Sequence, residues 1–215
     1  MSREKDLKSQ NTVPLTAIYV GTLTLMVLVQ WGVLEAFAFT DQLFKQSFVM
    51  AAITSFGALL SHILPNSVKH ALLFLRISNV LPGHRCKTLC ANDQRLSMVL
   101  LQEKWPELFV HDMAEVSQNA YWYKEIFSPV KDTREVLQAH RSFLLYRDAV
   151  SGLFVLLTAM LLWQYLAVYV SLSSLGHWSL LVLISVILLC SQASRQSAYR
   201  MVTNAAAVGI AAKKI

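Results

Sequence analysis

The stretch from Ala149 to Val170, AVSGLFVLLTAMLLWQYLAVYV, contains no charged side chain. A bilayer core requires about 20 consecutive, mostly apolar residues for one helical crossing. Three further stretches meet or approach that requirement. Ala17–Phe39 carries one carboxylate, Glu35, near its far end; Ser47–Leu64 is the least apolar; Leu175–Ser194 follows the Ala149 span after only SLSS. Such short connectors make the members of each pair antiparallel neighbours. The composition agrees: 55% of the 215 residues are hydrophobic and 15% charged, against about a quarter charged in a soluble domain. The sequence predicts an all-α membrane protein with four transmembrane helices in two hairpins. A helical cytoplasmic domain is inserted between spans two and three.

Basic residues set the expected orientation. Of nineteen Lys and Arg, only Lys45 falls between spans one and two, and none lies between three and four. The rest sit in the N-terminal tail, between Pro65 and Asp148, or after Ser194. That asymmetry puts both termini and the middle segment on the cytoplasmic side of a multi-pass protein. The expected domains are a tail over 1–16, a hairpin over 17–64, a helical domain over 65–148, a second hairpin over 149–194 and a tail over 195–215. Ala36–Ala38 resembles a small-residue cleavage site, but the apolar stretch before it is long for a signal peptide. An uncleaved anchor is favoured, although a cleaved signal would have the same orientation. Three cysteines, Cys86, Cys90 and Cys190, form no even disulfide framework and fit a reducing compartment.

Within the middle segment, Asn92 or Asp93 can cap a helix running towards Lys104, which Trp105-Pro106 ends. Asp112 and Glu115 read as a capping box. Ser128-Pro129 opens a helix predicted to continue through Val170. Asn66–Val80 extends the second span, up to a turn at Leu81-Pro82-Gly83.

That turn begins the most polar stretch, VLPGHRCKTLCANDQR. His84, Arg85, Lys87 and Arg95 can form an anion-binding corner. The same stretch also reads as a solvated turn with Cys86 and Cys90 packed as small apolar residues. A zinc reading uses His84, Cys86 and Cys90 but lacks a fourth ligand unless His111 serves, and it is the weakest of the three. In QNAYWYKE at most two of the three aromatics can face a core, leaving at least one for another subunit, a base or the membrane surface; a packed helix with one interfacial ring is the weightier reading, and base stacking by Trp122 or Tyr123 the functional one. His140 and Arg141 either line a ligand pocket or, with Arg147 and Asp148, mark the membrane edge. Along span two, Ala51, Ser55, Ala58 and His62 fall on one face, fit for helix packing or for lining a pore. Glu35 is an intramembrane carboxylate and hence a functional suspect. No nucleophile elbow, Walker loop, HExxH or paired-carboxylate arrangement is present, so no catalytic residue and no cofactor is expected.

The motifs LPGHR, DQR, NAYWY and HRSFLLYRD give Leu81–Asp148 a resemblance to small bacterial four-span membrane proteins. The sequence looks similar there to the channel effector of Hailong-type anti-phage defence. Cys86 and Asn92 depart from that pattern, which leaves the detailed ligand contacts open. The resemblance implies a homo-oligomeric ion channel in the bacterial inner membrane. Its cytoplasmic part would bind oligodeoxyadenylate, or another nucleotide, made by a partner nucleotidyltransferase. Bound ligand would hold the pore shut until infection releases it. Two alternatives remain: a non-conducting scaffold recruiting a soluble partner through the Trp105–Phe127 surface, and a membrane enzyme using His84 and Asp93.

Overall fold

The computed structural model describes residues 9–31, 64–111, 113–170 and 176–212. All regular structure among the described residues is helical. Helix α1 spans Thr12–Trp31 and α2 Asn66–Phe74; a 3₁₀ turn over Pro82–Arg85 leads into α3, Cys86–Ala91. Next come α4 (Met98–Lys104), α5 (Pro106–Phe109) and α6 (Glu115–Tyr121). A π-helical segment at Trp122–Phe127 leads into α7, Ser128–Val130. Two long helices follow, α8 over Arg134–Val170 and α9 over His177–Ala211. Among the described residues three helices, α1, α8 and α9, are long and apolar enough to cross a membrane, as expected of a membrane protein. The predicted second span, with Ala51, Ser55, Ala58 and His62, lies outside the described residues apart from Leu64, and so does Glu35.

Several predicted boundaries move. The long helix starts at Arg134 rather than Pro129, because Lys131–Thr133 form a turn in which the Thr133 hydroxyl donates to the Val130 carbonyl (2.7 Å). Its 37 residues still extend about 55 Å. The extension of span two stops at Phe74, where Leu75 takes a positive φ of 51° and turns the chain away. Helix α4 begins at Met98 with Ser97 at the cap, so neither Asn92 nor Asp93 opens it. Helix α6 has Ala114 at its N-cap without a side-chain bond, and Asp112 is outside the described residues. Trp105-Pro106 does end α4, since the ring of Pro106 cannot extend it and instead starts α5.

The chain divides into two compact units, Met1–Lys69 with Leu145–Gln192 and His70–Leu144 with Ala193–Ile215. In the first unit, Met26, Leu153 and Leu183 are fully buried. Helical hydroxyls bond back to carbonyls one turn earlier, Thr22 to Ile18, Ser151 to Arg147 and Thr158 to Phe154. Gln30 Oε1 accepts from the Gly176 N–H (2.8 Å) and the Ser179 hydroxyl (2.9 Å). Arg147 and Asp148, expected at a solvated membrane edge, are 3% and 8% exposed. The Asp148 carboxylate accepts from Arg147 Nη2 (2.9 Å) and faces Lys69 Nζ at 3.5 Å. The Tyr19 hydroxyl donates to the Asp148 carbonyl (3.1 Å), and a Cβ on Gly152 would overlap that hydroxyl.

The second unit packs around the C-terminal part of α9, a segment expected only as a tail. Ala198, Val202, Ala205 and Ala206 of that helix are fully buried. Its small side chains let neighbouring elements come close. Arg195 Nε donates to the Leu73 carbonyl (2.8 Å), Ser194 Oγ to that of Phe143 (3.3 Å), and Lys104 Nζ to that of Gly209. Leu73, Leu101, Leu108, Ile126, Val136 and Leu144 complete the core. Each such side chain contributes about 1.5–3 kcal/mol by leaving water.

Candidate anion-binding groove

The LPGHR and NAYWY motifs pack on one another. Gly83 lies against α6, where an added Cβ would overlap Asn119 Oδ1 and come within 2.7 Å of Trp122 Cε3. Only glycine allows that approach. His84 Nδ1 donates to the Glu115 carbonyl (2.9 Å), the tautomer following from an acceptor that can only accept. Lys87 Nζ donates to the His111 carbonyl (3.3 Å). Two of the predicted anion-binding cations therefore hold backbone in place. Arg85 lies near two aromatic rings, Phe74 at 5.9 Å and Tyr199 at 5.5 Å, and reaches the Tyr199 hydroxyl at 3.5 Å.

Cys86 and Cys90 are fully buried, one helical turn apart, with sulfurs 3.7 Å from each other. Burial, and then the neighbouring Cys90, push the Cys86 thiol well above its ordinary value, so it stays protonated. Among the described residues no three His, Cys, Asp or Glu side chains gather as a metal-ligand group.

Arg95 occupies a different setting. Asp93 Oδ1 accepts the Arg95 backbone N–H (3.0 Å), making a short Asx turn, and also the guanidinium Nε–H (3.0 Å). Asp93 Oδ2 accepts from Nη2 at 2.7 Å. The guanidinium then docks on α9, donating to Thr203 Oγ1 and Asn204 Oδ1, each at 3.1 Å. The Arg95 side-chain bond holds the Asp93 carboxyl well below the usual carboxylate range, outweighing partial burial. The same bond raises the Arg95 pKa.

This contact walls an open groove of about 420 Å³. One side is the loop carrying Asn92, Asp93, Gln94 and Arg95; the other is the α9 face of Gln196, Tyr199, Arg200 and Thr203. Spacings of three and four put those α9 side chains in one row. Arg200 is exposed and, among the described residues, makes no hydrogen bond or ion pair, leaving its planar fork open to an anion. A second cavity of about 350 Å³ borders Glu107, Tyr121, Lys124 and Glu125. Lys124 there pairs with Glu125 at 3.1 Å. Burial first, then the two glutamates, raise the Tyr121 hydroxyl's pKa, and the two carboxylates in the lining disfavour an anion there.

The remaining predicted site residues lie elsewhere in the second unit. Trp122, Tyr123 and His140 surround Phe127, with ring centroids 5.0, 5.5 and 5.6 Å from it. Trp122 is buried, with its indole N–H lacking a partner among the described residues, whereas Tyr123 is exposed. The π-helical segment produces this split, placing Trp122 and Phe127 inward while Tyr123, Lys124 and Glu125 stay out. Arg141 is half-buried on α8 and does not line the groove. Of the eight predicted ligand contacts, only Arg95 lines it directly, and Arg85 touches it through Tyr199. Gln196, Tyr199, Arg200 and Thr203 were not anticipated, although their helical spacing was a readable signal.

Comparison with protein-family models, with curated proteins and with solved structures finds no match to this chain.

Proposed function

We propose that the chain is a homo-oligomeric membrane effector, a ligand-gated ion channel of the bacterial inner membrane. In this reading the second unit is cytoplasmic and senses a nucleotide or oligonucleotide supplied by a partner nucleotidyltransferase. Loss of that ligand opens the pore and depolarises the cell in anti-phage defence. The observation that carries the ligand assignment is the groove. It sets the open guanidinium of Arg200 beside the ring of Tyr199 and the side-chain amides of Asn92, Gln94 and Gln196. A guanidinium fork suits a phosphate, an aromatic ring suits a base face, and amides suit a base edge. Oligomerisation is supported by the apolar side chains exposed on α8 and α9, among them Leu161, Leu162, Trp178, Leu188 and Leu189. Lipid and neighbouring subunits would cover them, and so few spans cannot enclose a wide pore alone.

Ion flux from liposomes holding the purified protein tests the proposal. Flux that a short oligodeoxyadenylate suppresses is the expected result, with Arg200→Gln conducting but no longer suppressed. Absence of flux in both conditions, from folded and oligomeric protein, would overturn it. That outcome would favour the scaffold reading, for which Val110, Val116 and Tyr123 supply an exposed apolar surface.

A further inference from the structure

The groove presents two arginines in different states. Arg200 is exposed and uncommitted among the described residues. Arg95 has four of its five guanidinium N–H groups engaged, on Asp93, Thr203 and Asn204, leaving one at Nη1. Its side chain is nevertheless 58% exposed and lines the groove. Thr203 lies three residues after Arg200 on α9, and side chains so spaced are about 5–6 Å apart at Cβ. The Arg95 guanidinium, docked on Thr203, therefore sits one helical turn along the same face from Arg200. Linked phosphates in a diphosphate, or neighbouring phosphodiesters in an oligonucleotide, have a comparable reach.

We propose that Arg95 is the groove's second phosphate contact and that Asp93 sets its strength, so that the groove prefers two linked phosphates to one. This rests on reading the groove as the ligand site. Asp93 acts in two opposed ways. Its carboxylate fixes the guanidinium in place, and it also cancels much of the positive charge. A lone phosphate binds Arg200 and gains little from Arg95, because the Asp93 carboxylate lies alongside. A second phosphate tethered to the first is held near the remaining N–H, so even an attenuated donor contributes. Asp93 thus becomes the specificity-determining residue, and Arg200 supplies affinity to either kind of ligand.

Calorimetric titration of the full chain in detergent tests this with three probes: orthophosphate, pyrophosphate and a short oligodeoxyadenylate. Wild type is expected to bind pyrophosphate about tenfold more tightly than orthophosphate, as one added charge-assisted contact predicts. Asp93→Asn keeps an acceptor oxygen but removes the charge. It should raise orthophosphate affinity about fivefold, the upper range for an exposed pair, and narrow the ratio. Arg95→Gln should bring the ratio near one and, by leaving the Asp93 carboxylate uncompensated beside the groove, weaken orthophosphate modestly, while Arg200→Gln loses binding of both. Matching elution and unfolding profiles for each variant exclude misfolding. Equal wild-type affinity for the two inorganic anions, or a ratio that Asp93→Asn does not move, would overturn the proposal. If oligodeoxyadenylate binds while that ratio stays fixed, this inference fails and the nucleotide reading stands. If pyrophosphate binds with the stated preference and oligodeoxyadenylate does not, the reverse holds. No binding by any probe would overturn both.

Discussion

Arg147–Asp148 in the first unit and Arg95–Asp93 in the second are the same chemistry in opposite settings. The first pair is buried, its carboxylate also facing Lys69 at 3.5 Å. The second has the shorter contact, 2.7 Å, yet leaves the arginine 58% exposed beside an open groove. Removing a charge from water carries a large penalty, so a buried pair must keep both members. The Asp93 side chain is only 16% exposed, but Arg95 stays solvated with or without it, so losing that carboxylate strands no buried charge. Burial, rather than bond length, decides which pair supports the fold and which is open to a ligand.

The sharpest way to break that contrast is to remove one carboxylate from each pair. Asp148→Asn removes the carboxylate that the buried Arg147 and Lys69 both face and should cost about 3–5 kcal/mol. Asp93→Asn should cost no more than about 1 kcal/mol. Unfolding of the two variants in the same detergent, followed by tryptophan fluorescence, measures both. Similar losses would mean that the first pair is solvated in the folded protein, or that the second is structural after all.

Glycine replacement sharpens the same comparison through packing. Gly83→Ala forces a methyl against Asn119 and Trp122 and should destabilise by about 1–3 kcal/mol. Gly21 in α1 has nothing among the described residues within 4 Å of an added Cβ, so Gly21→Ala should stabilise by about 0.5–1 kcal/mol through helix propensity. A neutral Gly83→Ala would show that the 3₁₀ turn can shift away from α6, and would loosen the link between the two motifs.

The helical class was legible, and three of the four apolar stretches coincide with long apolar helices, because such helices are marked by long runs lacking charge, as at Ala149–Val170. Trp105-Pro106 was legible because proline cannot continue α4. The start of α8 was not, because Ser128-Pro129 is a good N-cap signal yet belongs to the short α7, and the turn at Thr133 carries no glycine or proline. The groove was half-legible. Its loop side, with Arg95, stood out as a polar stretch. Its α9 side did not, because Tyr199 and Arg200 sit in a segment read as a tail, where Arg200 counted only towards the orientation. His84 and Lys87 misled for a local reason: each is a donor whose bond goes to a backbone carbonyl on another segment, a choice that tertiary packing makes.

The smallest expected effect is on the pH dependence of the exposed pair. Arg95 depresses the Asp93 pKa in the folded state, while the unfolded chain has an ordinary aspartate value of about 3.9. Stability from a depressed carboxylate is fully present above the unfolded value and disappears as pH falls through the folded one. The stability difference between wild type and Asp93→Asn should therefore stay flat from pH 7 to about 5. It should shrink only below about pH 4, by an amount under about 1 kcal/mol. Paired unfolding curves at pH 7, 5, 4 and 3 read that window. A difference already falling between pH 7 and 5 would mean that some other group controls the loop. A flat one would show that Arg95 keeps its counter-charge, and the groove its attenuated second cation, throughout the neutral and mildly acidic range.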